Sequence, residues 1–524
     1  MSGDAAADEP VLPVARDSPD RGDPMSVPTS ALVVPDLLRL RAEQLPAREA
    51  INVRGLRTIT YGDWDARSNA VAHGLLARIG GRGRGVRVAL LYSGDDWIDY
   101  AIAYFGVLKA GATAMHVNDS LPVAELERRF AQCEVVGVIH GAPITWEGTA
   151  DRWSLTTADL DSGDHSAPEV DIRPVDIADI LYTSGTTGPA KPFTNPHGTP
   201  TYGRGSAALG TLDDTAPLLA PMPMGTTSSS TTVAVLATTT PSPLIVCSPD
   251  DPEELARLVA EHGCGTVILT PWTAIRLMAI RPHERYDLSS VKSIGNASAP
   301  MPPRIARELL RAMPNAVINS AYAQSEAVPA IMLGTVDPDR PMSVGRVGRG
   351  TEMVVVDEHG DPVPTGELGE IWLRSEAPKR LYLDPGLNEK VHAGGWTRTR
   401  DLGRATEDGE LFLFDRKVDA ITTSGRLVSS LEVEAAVYEH PAVREATVIG
   451  LPDEERGQAV TAVVVLDGTA DDAELLGFLA RRLEPHQVPA RIHRLPALPR
   501  GGTGKVLKFE LRRTLARNTP YGGE

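Results

Sequence analysis

The stretch Tyr182–Gly198, YTSGTTGPAKPFTNPHG, decides how the rest of the chain is read. Just before it, DIADIL (Asp176–Leu181) has the length and apolar content of a short buried strand. Ser184, Gly185, Thr186, Thr187 and Gly188 then set hydroxyls beside exposed backbone N–H groups, and Lys191 adds a mobile positive charge. That combination suits polyphosphate oxygens. It is not a Walker A loop, which needs Gly before its Lys and Ser or Thr after it. Ala190 and Pro192 hold those two places.

Working outward, 524 residues exceed one ordinary core and predict two or more domains. A hydrophobic content of 42% with 23% charged residues is that of a globular chain. The formal net charge of −17 argues against a nucleic-acid surface. The Gly/Arg stretch GGRGRGVR (Gly80–Arg87) runs straight into VALLYSG, so it reads as a turn before a buried strand. Cys133, Cys247 and Cys264 are scattered and odd in number, which excludes a disulfide framework or a zinc site and fits a reducing compartment. Residues 1–30 lack the apolar centre of a signal peptide and read as a disordered tail. No apolar run approaches the roughly 20 residues that cross a bilayer. A cytoplasmic protein, free of membrane and nucleic acid and either monomer or homodimer, is expected.

VPDLLRLRAEQLPAREAI (Val34–Ile51) reads as a helical pattern, and TITYGDWDARSNAVAHGLLAR (Thr58–Arg78) as strand, cap and helix. VRVALLYSG, DDWIDYAIAYFGVLKAG and TAMHVN alternate strand, helix and strand, and TVILT is a further short strand. This alternation predicts parallel α/β layers. From about Met353, EMVVVDEHGDPVPTGELGEIWLRS reads as antiparallel strands joined by Asp/Gly turns. After Asp415-Arg416-Lys417, a helix–strand–strand–helix set of about 100 residues is sized for a small α+β domain. The predicted division is a tail at 1–30, an α/β N-terminal domain with a β-rich subdomain at 31–415, and a mobile C-terminal domain at 416–524.

With its neighbours in order, the opening stretch resembles the signature loop of the adenylate-forming superfamily, which includes acyl- and aryl-CoA synthetases. The resemblance runs from about Val34 to Leu515. It rests on ASAPMP (Ala297–Pro302), AYAQSE (Ala321–Glu326), SVGRVGRGTEMVVVDEHGDPVPTGELGEIWLRS (Ser343–Ser375), WTRTRDLGR (Trp396–Arg404), DRKVDAITTSGRLVSSLEVE (Asp415–Glu434) and LPRGGTGKVLK (Leu498–Lys508). Such enzymes join a carboxylate to the α-phosphate of ATP and release pyrophosphate. Two anions must approach each other, so the site must neutralise negative charge.

The resemblance assigns roles residue by residue. Thr183, Ser184, Gly185, Thr186, Thr187, Gly188 and Lys191 would hold the β- and γ-phosphates, and Glu326 would bind Mg²⁺, with Ser325 near the α-phosphate. Tyr322 would stack on adenine opposite Ser298, Ala299 and Pro300. Asp401 would accept from the ribose hydroxyls, with Arg416 as a second ribose or phosphate contact. Lys505, on its Gly-rich loop, would bridge carboxylate and α-phosphate. His197 reads as a structural histidine. The acid pocket would draw on Met224, Thr226, Ser228, Asn296, Ala323, Gln324 and Val328, which are small or polar and suit an aryl, arylacrylic or short acid.

Some residues depart from the family pattern. Ala190 and Pro192 flank Lys191, Ala323 and Arg400 replace glycines, Met224 takes the place of a His or aromatic, and Val418 stands at a usually charged hinge. Gly425 lies in the loop that guides pantetheine in CoA ligases. The expectation is a stand-alone ligase using ATP, Mg²⁺ and CoA. A carrier-protein thiol or a nitrogen nucleophile is the alternative acceptor, with an oxyanion such as nitrite as an alternative to the acid. A non-catalytic nucleotide-binding relative is the reading from another class; retention of Lys505 and Glu326 argues against it.

Overall fold

The computed structural model describes residues 32–146, 151–183, 190–204, 216–240, 242–501 and 504–517. Tail residues 1–30 and the predicted phosphate contacts Ser184, Gly185, Thr186, Thr187 and Gly188 lie outside the described residues.

The predicted α/β alternation forms two large sheets. In one, strands 177–182, 113–118, 87–92, 137–140 and 153–156 run parallel, and strands 192–196 and 381–382 extend its edge antiparallel. In the other, the parallel strands 244–247, 218–221, 266–269, 293–296 and 317–322 continue into antiparallel strands that include 343–347, 369–374, 396–405 and 411–416. The helix Trp97–Lys109 is buried almost throughout. Its near-continuous apolar sequence leaves no polar face, which is why it lies in the interior rather than over it. A third sheet, built on the hairpin Val443–Asp453 and Gly457–Leu466 and flanked by helices Ser430–Tyr438 and Asp472–Ala480, makes the small C-terminal unit. All three cysteines are free and buried. Among the described residues no helix is long and apolar enough to cross a membrane.

One predicted element is too long. The helix that opens the described chain stops at Gln44, and Glu49–Val53 is a strand. Pro46 is the physical reason: its ring disfavours helical torsions at Leu45, which sits at φ −139°. The Thr/Ser-rich stretch after Met224 is helical, with a π-helical turn at Thr232–Leu236 that buries Val233, Ala234 and Val235.

His197, just after strand 192–196, ties the first helix to that sheet, its Nδ1 accepting the Val34 N–H at 3.3 Å. Burial pushes its pKa down to about 4. The fold therefore holds the neutral ring, while the unfolded chain takes up a proton near pH 6.5. This stabilisation is complete above that pH and is lost as pH falls toward 4. Between pH 7 and 4.5 the wild type should lose about 2.5 kcal/mol more than His197→Gln, at about 1.4 kcal/mol per pH unit. Urea titrations of both proteins at the two pH values check this.

Candidate active site

Three parallel strands, 266–269, 293–296 and 317–322, end at one cleft, the side of an α/β sheet where ligands collect. Asn296 closes the second strand, and its Nδ2 donates to the Ala299 carbonyl at 3.0 Å, folding the turn over the cleft. Its Oδ1 is buried without a hydrogen-bond partner. Ser298 in that turn is held at φ +79°, a left-handed torsion that costs a non-glycine residue energy. Tyr322 ends the third strand, and its hydroxyl donates to Asp401 Oδ2 at 2.8 Å. Gln324 Nε2 donates to the same oxygen at 2.7 Å and to the Thr399 carbonyl, also at 2.7 Å.

Asp401 is thus oriented through one oxygen only. The other, Oδ1, is buried with no hydrogen bond, and Arg416 Nε stands 3.8 Å away. Burial raises the Asp401 pKa against the pull of Arg416. Arg416 and Asp401 are cross-strand partners, so the register of two neighbouring strands fixes this pair. Lys505 enters from the C-terminal unit. Burial, and then the charge of Arg416, push its amine down to about 8, while Asp401 and Glu326 pull the other way.

These groups line one cavity of about 300 Å³. It gathers Asn296, Ser298, Ala299, Pro300, Tyr322, Ala323, Gln324, Asp401, Arg416 and Lys505 from the residues singled out in the sequence. Thr183, Lys191, Ser325, Glu326, Met224, Thr226, Ser228 and Val328 lie outside its lining. Gln324, expected as an acid-pocket residue, lines the cavity and donates its amide to the aspartate. Thr226 caps a helix: its Oγ1 accepts the Ser229 N–H at 3.4 Å and donates to the Pro223 carbonyl at 2.9 Å. Glu326 accepts the Tyr382 hydroxyl. Thr183 and Lys191, at the two ends of the stretch expected to hold phosphates, are clamped together: Thr183 N donates to the Lys191 carbonyl at 3.0 Å, and Thr183 Oγ1 accepts Lys191 N at 3.1 Å.

The AMP-binding enzyme model matches residues 38–383, and the model of that family's C-terminal domain matches residues 432–505. The chain belongs to the AMP-binding enzyme family. Among the relatives of this AMP-binding enzyme, 4-coumarate–CoA ligase 5 of Oryza sativa subsp. japonica is 28% identical over 88% of the chain and 90% of its own length. A feruloyl-CoA synthase of a Streptomyces species is 29% identical over 90% of the chain and 97% of its own length. The crystal structure of ATP-bound MatB from Rhodopseudomonas palustris superposes with a TM-score of 0.79 at 25% identity, covering 93% of the chain and all of that protein.

Two residues of this AMP-binding enzyme escaped the sequence reading. Arg380 is buried, and burial lowers its pKa to about 10. It donates to Asn195 Oδ1 at 2.9 Å and to the Ser325 carbonyl at 3.2 Å. Tyr382 pairs with Phe193 on the strand that leaves the phosphate loop. Together they fix Ser325 and Glu326 relative to strand 192–196. Both stand in KRLYLDPG, between the recognised segments, where only their alternation with apolar residues offered a signal.

Proposed function

We propose that the chain activates a carboxylic acid as its acyl-adenylate and transfers the acyl group to CoA, as an AMP-forming acid–CoA ligase. The buried Asp401 Oδ1, which accepts no hydrogen bond, in a cavity completed by Lys505 carries this reading. A ribose supplies two hydroxyl donors for such an oxygen, and the unpartnered Asn296 Oδ1 is placed to accept from an exocyclic amine. Tyr322 and the Ser298–Pro300 turn provide the faces for a flat base. In the first step an acid oxygen bonds to the α-phosphorus while the bond to the bridging oxygen breaks and pyrophosphate leaves with that electron pair. Lys505 neutralises charge on the acid and α-phosphate as they meet. Glu326 would give a carboxylate oxygen to Mg²⁺, an ion that needs few protein ligands and that would supply positive charge where the two anions meet.

In the second step the CoA thiolate displaces AMP at the acyl carbon. Residues 31–415 act as the adenylating unit and 416–524 as the unit that moves between steps, in a cytoplasmic enzyme. The names of the relatives support an aryl or arylacrylic acid and CoA as acceptor. A panel of 4-coumarate, ferulate, anthranilate, 2-succinylbenzoate and medium-chain fatty acids, each assayed for pyrophosphate release with ATP and then for thioester with CoA, tests the reading. At least one acid should give both products. Pyrophosphate with none of them overturns the proposed acid class, and pyrophosphate without thioester overturns the acceptor.

A further inference from the structure

The loop that carries Lys505 is braced from the opposite side of the cleft by a residue outside the recognised motifs. Trp272 is the second residue of helix Pro271–Ala279, which begins just after strand 266–269. The Arg500 guanidinium lies over its indole, 4.1 Å from the ring centroid. The next contact is with Gly504. A methyl group placed there would fall 3.1 Å from the indole Cδ1, so the ring packs directly on loop backbone one residue before the lysine. Gly504 also sits at φ +77°, which excludes most other residues independently.

The loop is internally tied. Gly501 N donates to the Lys505 carbonyl at 2.9 Å, and Arg500 Nη1 donates to the Gly504 carbonyl at 2.6 Å. Arg500 Nη2 reaches Glu445 Oε2 at 2.5 Å, anchoring the loop to its own unit. The indole is the part of this cluster that belongs to the other unit. Elsewhere, Arg304 donates to the His440 carbonyl at 3.1 Å and the Val443 carbonyl at 2.7 Å, holding the body of the C-terminal unit rather than its lysine loop.

We infer that Trp272 is a positioning residue for Lys505: through Arg500 and Gly504 it holds the lysine loop over the nucleotide during adenylation, and it is released when the C-terminal unit moves away. The contact exists only while the loop is seated. Its loss should therefore slow the step that needs Lys505 more than the step that does not. This inference rests on the role proposed above for Lys505.

The test is a double-mutant cycle of Trp272→Leu and Arg500→Gln, with Trp272→Phe as the conservative variant. Single-turnover pyrophosphate release at saturating ATP is measured with the fastest acid of the panel. Transfer to CoA is measured from the synthetic adenylate of the same acid. Each single substitution should lower the ratio of release to transfer about tenfold, Trp272→Phe by less than threefold, and the double variant no further than the worse single. Losses that multiply in the double variant, equal loss in both half-reactions, or wild-type ratios overturn the inference. Lys505→Ala, run alongside, separates the two claims. Normal release by that variant overturns the role of Lys505 itself, whatever the coupling between positions 272 and 500.

Discussion

Lys505→Ala should lower acyl-adenylate formation by a factor on the order of 10²–10⁴, the usual loss when one preorganised charge contact to a transition state is removed. ATP binding should change far less, because the proposed adenine and ribose contacts, Tyr322 and Asp401, belong to the larger unit. Transfer from a preformed adenylate should also survive, since the proposed movement of the C-terminal unit takes Lys505 away before that step. Stopped-flow pyrophosphate release, calorimetric ATP titration and a thioester assay on one preparation give the three readings. The depressed pKa adds a pH signature. With an amine near 8 in the free enzyme, kcat/KM for adenylation should fall as pH rises through about 8, because the charge is lost. Lys505→Arg keeps its charge throughout and should lose that basic limb even where its rate is reduced. A limb unchanged in Lys505→Arg would assign it to another group.

Asp401→Asn should weaken ATP binding about a hundredfold. Charged hydrogen bonds contribute about 1.5–3 kcal/mol each, and the ribose would place hydroxyls against an oxygen that accepts no other hydrogen bond. The substitution also sets an amide against Tyr322 and Gln324, both of which donate to this side chain. An amide has one acceptor atom where the carboxylate has two, so one demand must fail. Calorimetry with ATP and Mg²⁺ reads the change directly, and a thermal melt checks that the apo fold persists. An unchanged dissociation constant would show that the ribose is held elsewhere.

Much of this was legible in the sequence because it is local. The turn at Ala297–Pro302, the strand carrying Asp401 and the lysine loop are each short segments whose residue types announce their work. Periodicity likewise marked the buried helix Trp97–Lys109 and the C-terminal hairpin. What escaped is pairwise and distant. Gln324 read as a pocket residue, but nothing local announced that its amide also holds Asp401, 77 positions away. Arg380 and Tyr382 acquire meaning only when a two-residue strand lays them beside the phosphate-loop exit. Trp272 carries no sequence signal of its own, since its partners, Arg500 and Gly504, lie more than two hundred residues on. The overlong first helix failed for a smaller reason: periodicity carried the pattern past Pro46, where torsional restriction overrides it.

The pairing of Asp401 with Arg416 has one more implication. Arg416 is the last residue of its strand, and the chain turns immediately beyond it toward the C-terminal unit. On the proposed movement, the pivot would stand next to the proposed sugar site. A nucleotide seated on Asp401 would stiffen the strand from which the swing begins, and its departure would loosen that strand. The axle of the machine would then double as its occupancy gauge, resetting when AMP leaves without a separate sensor.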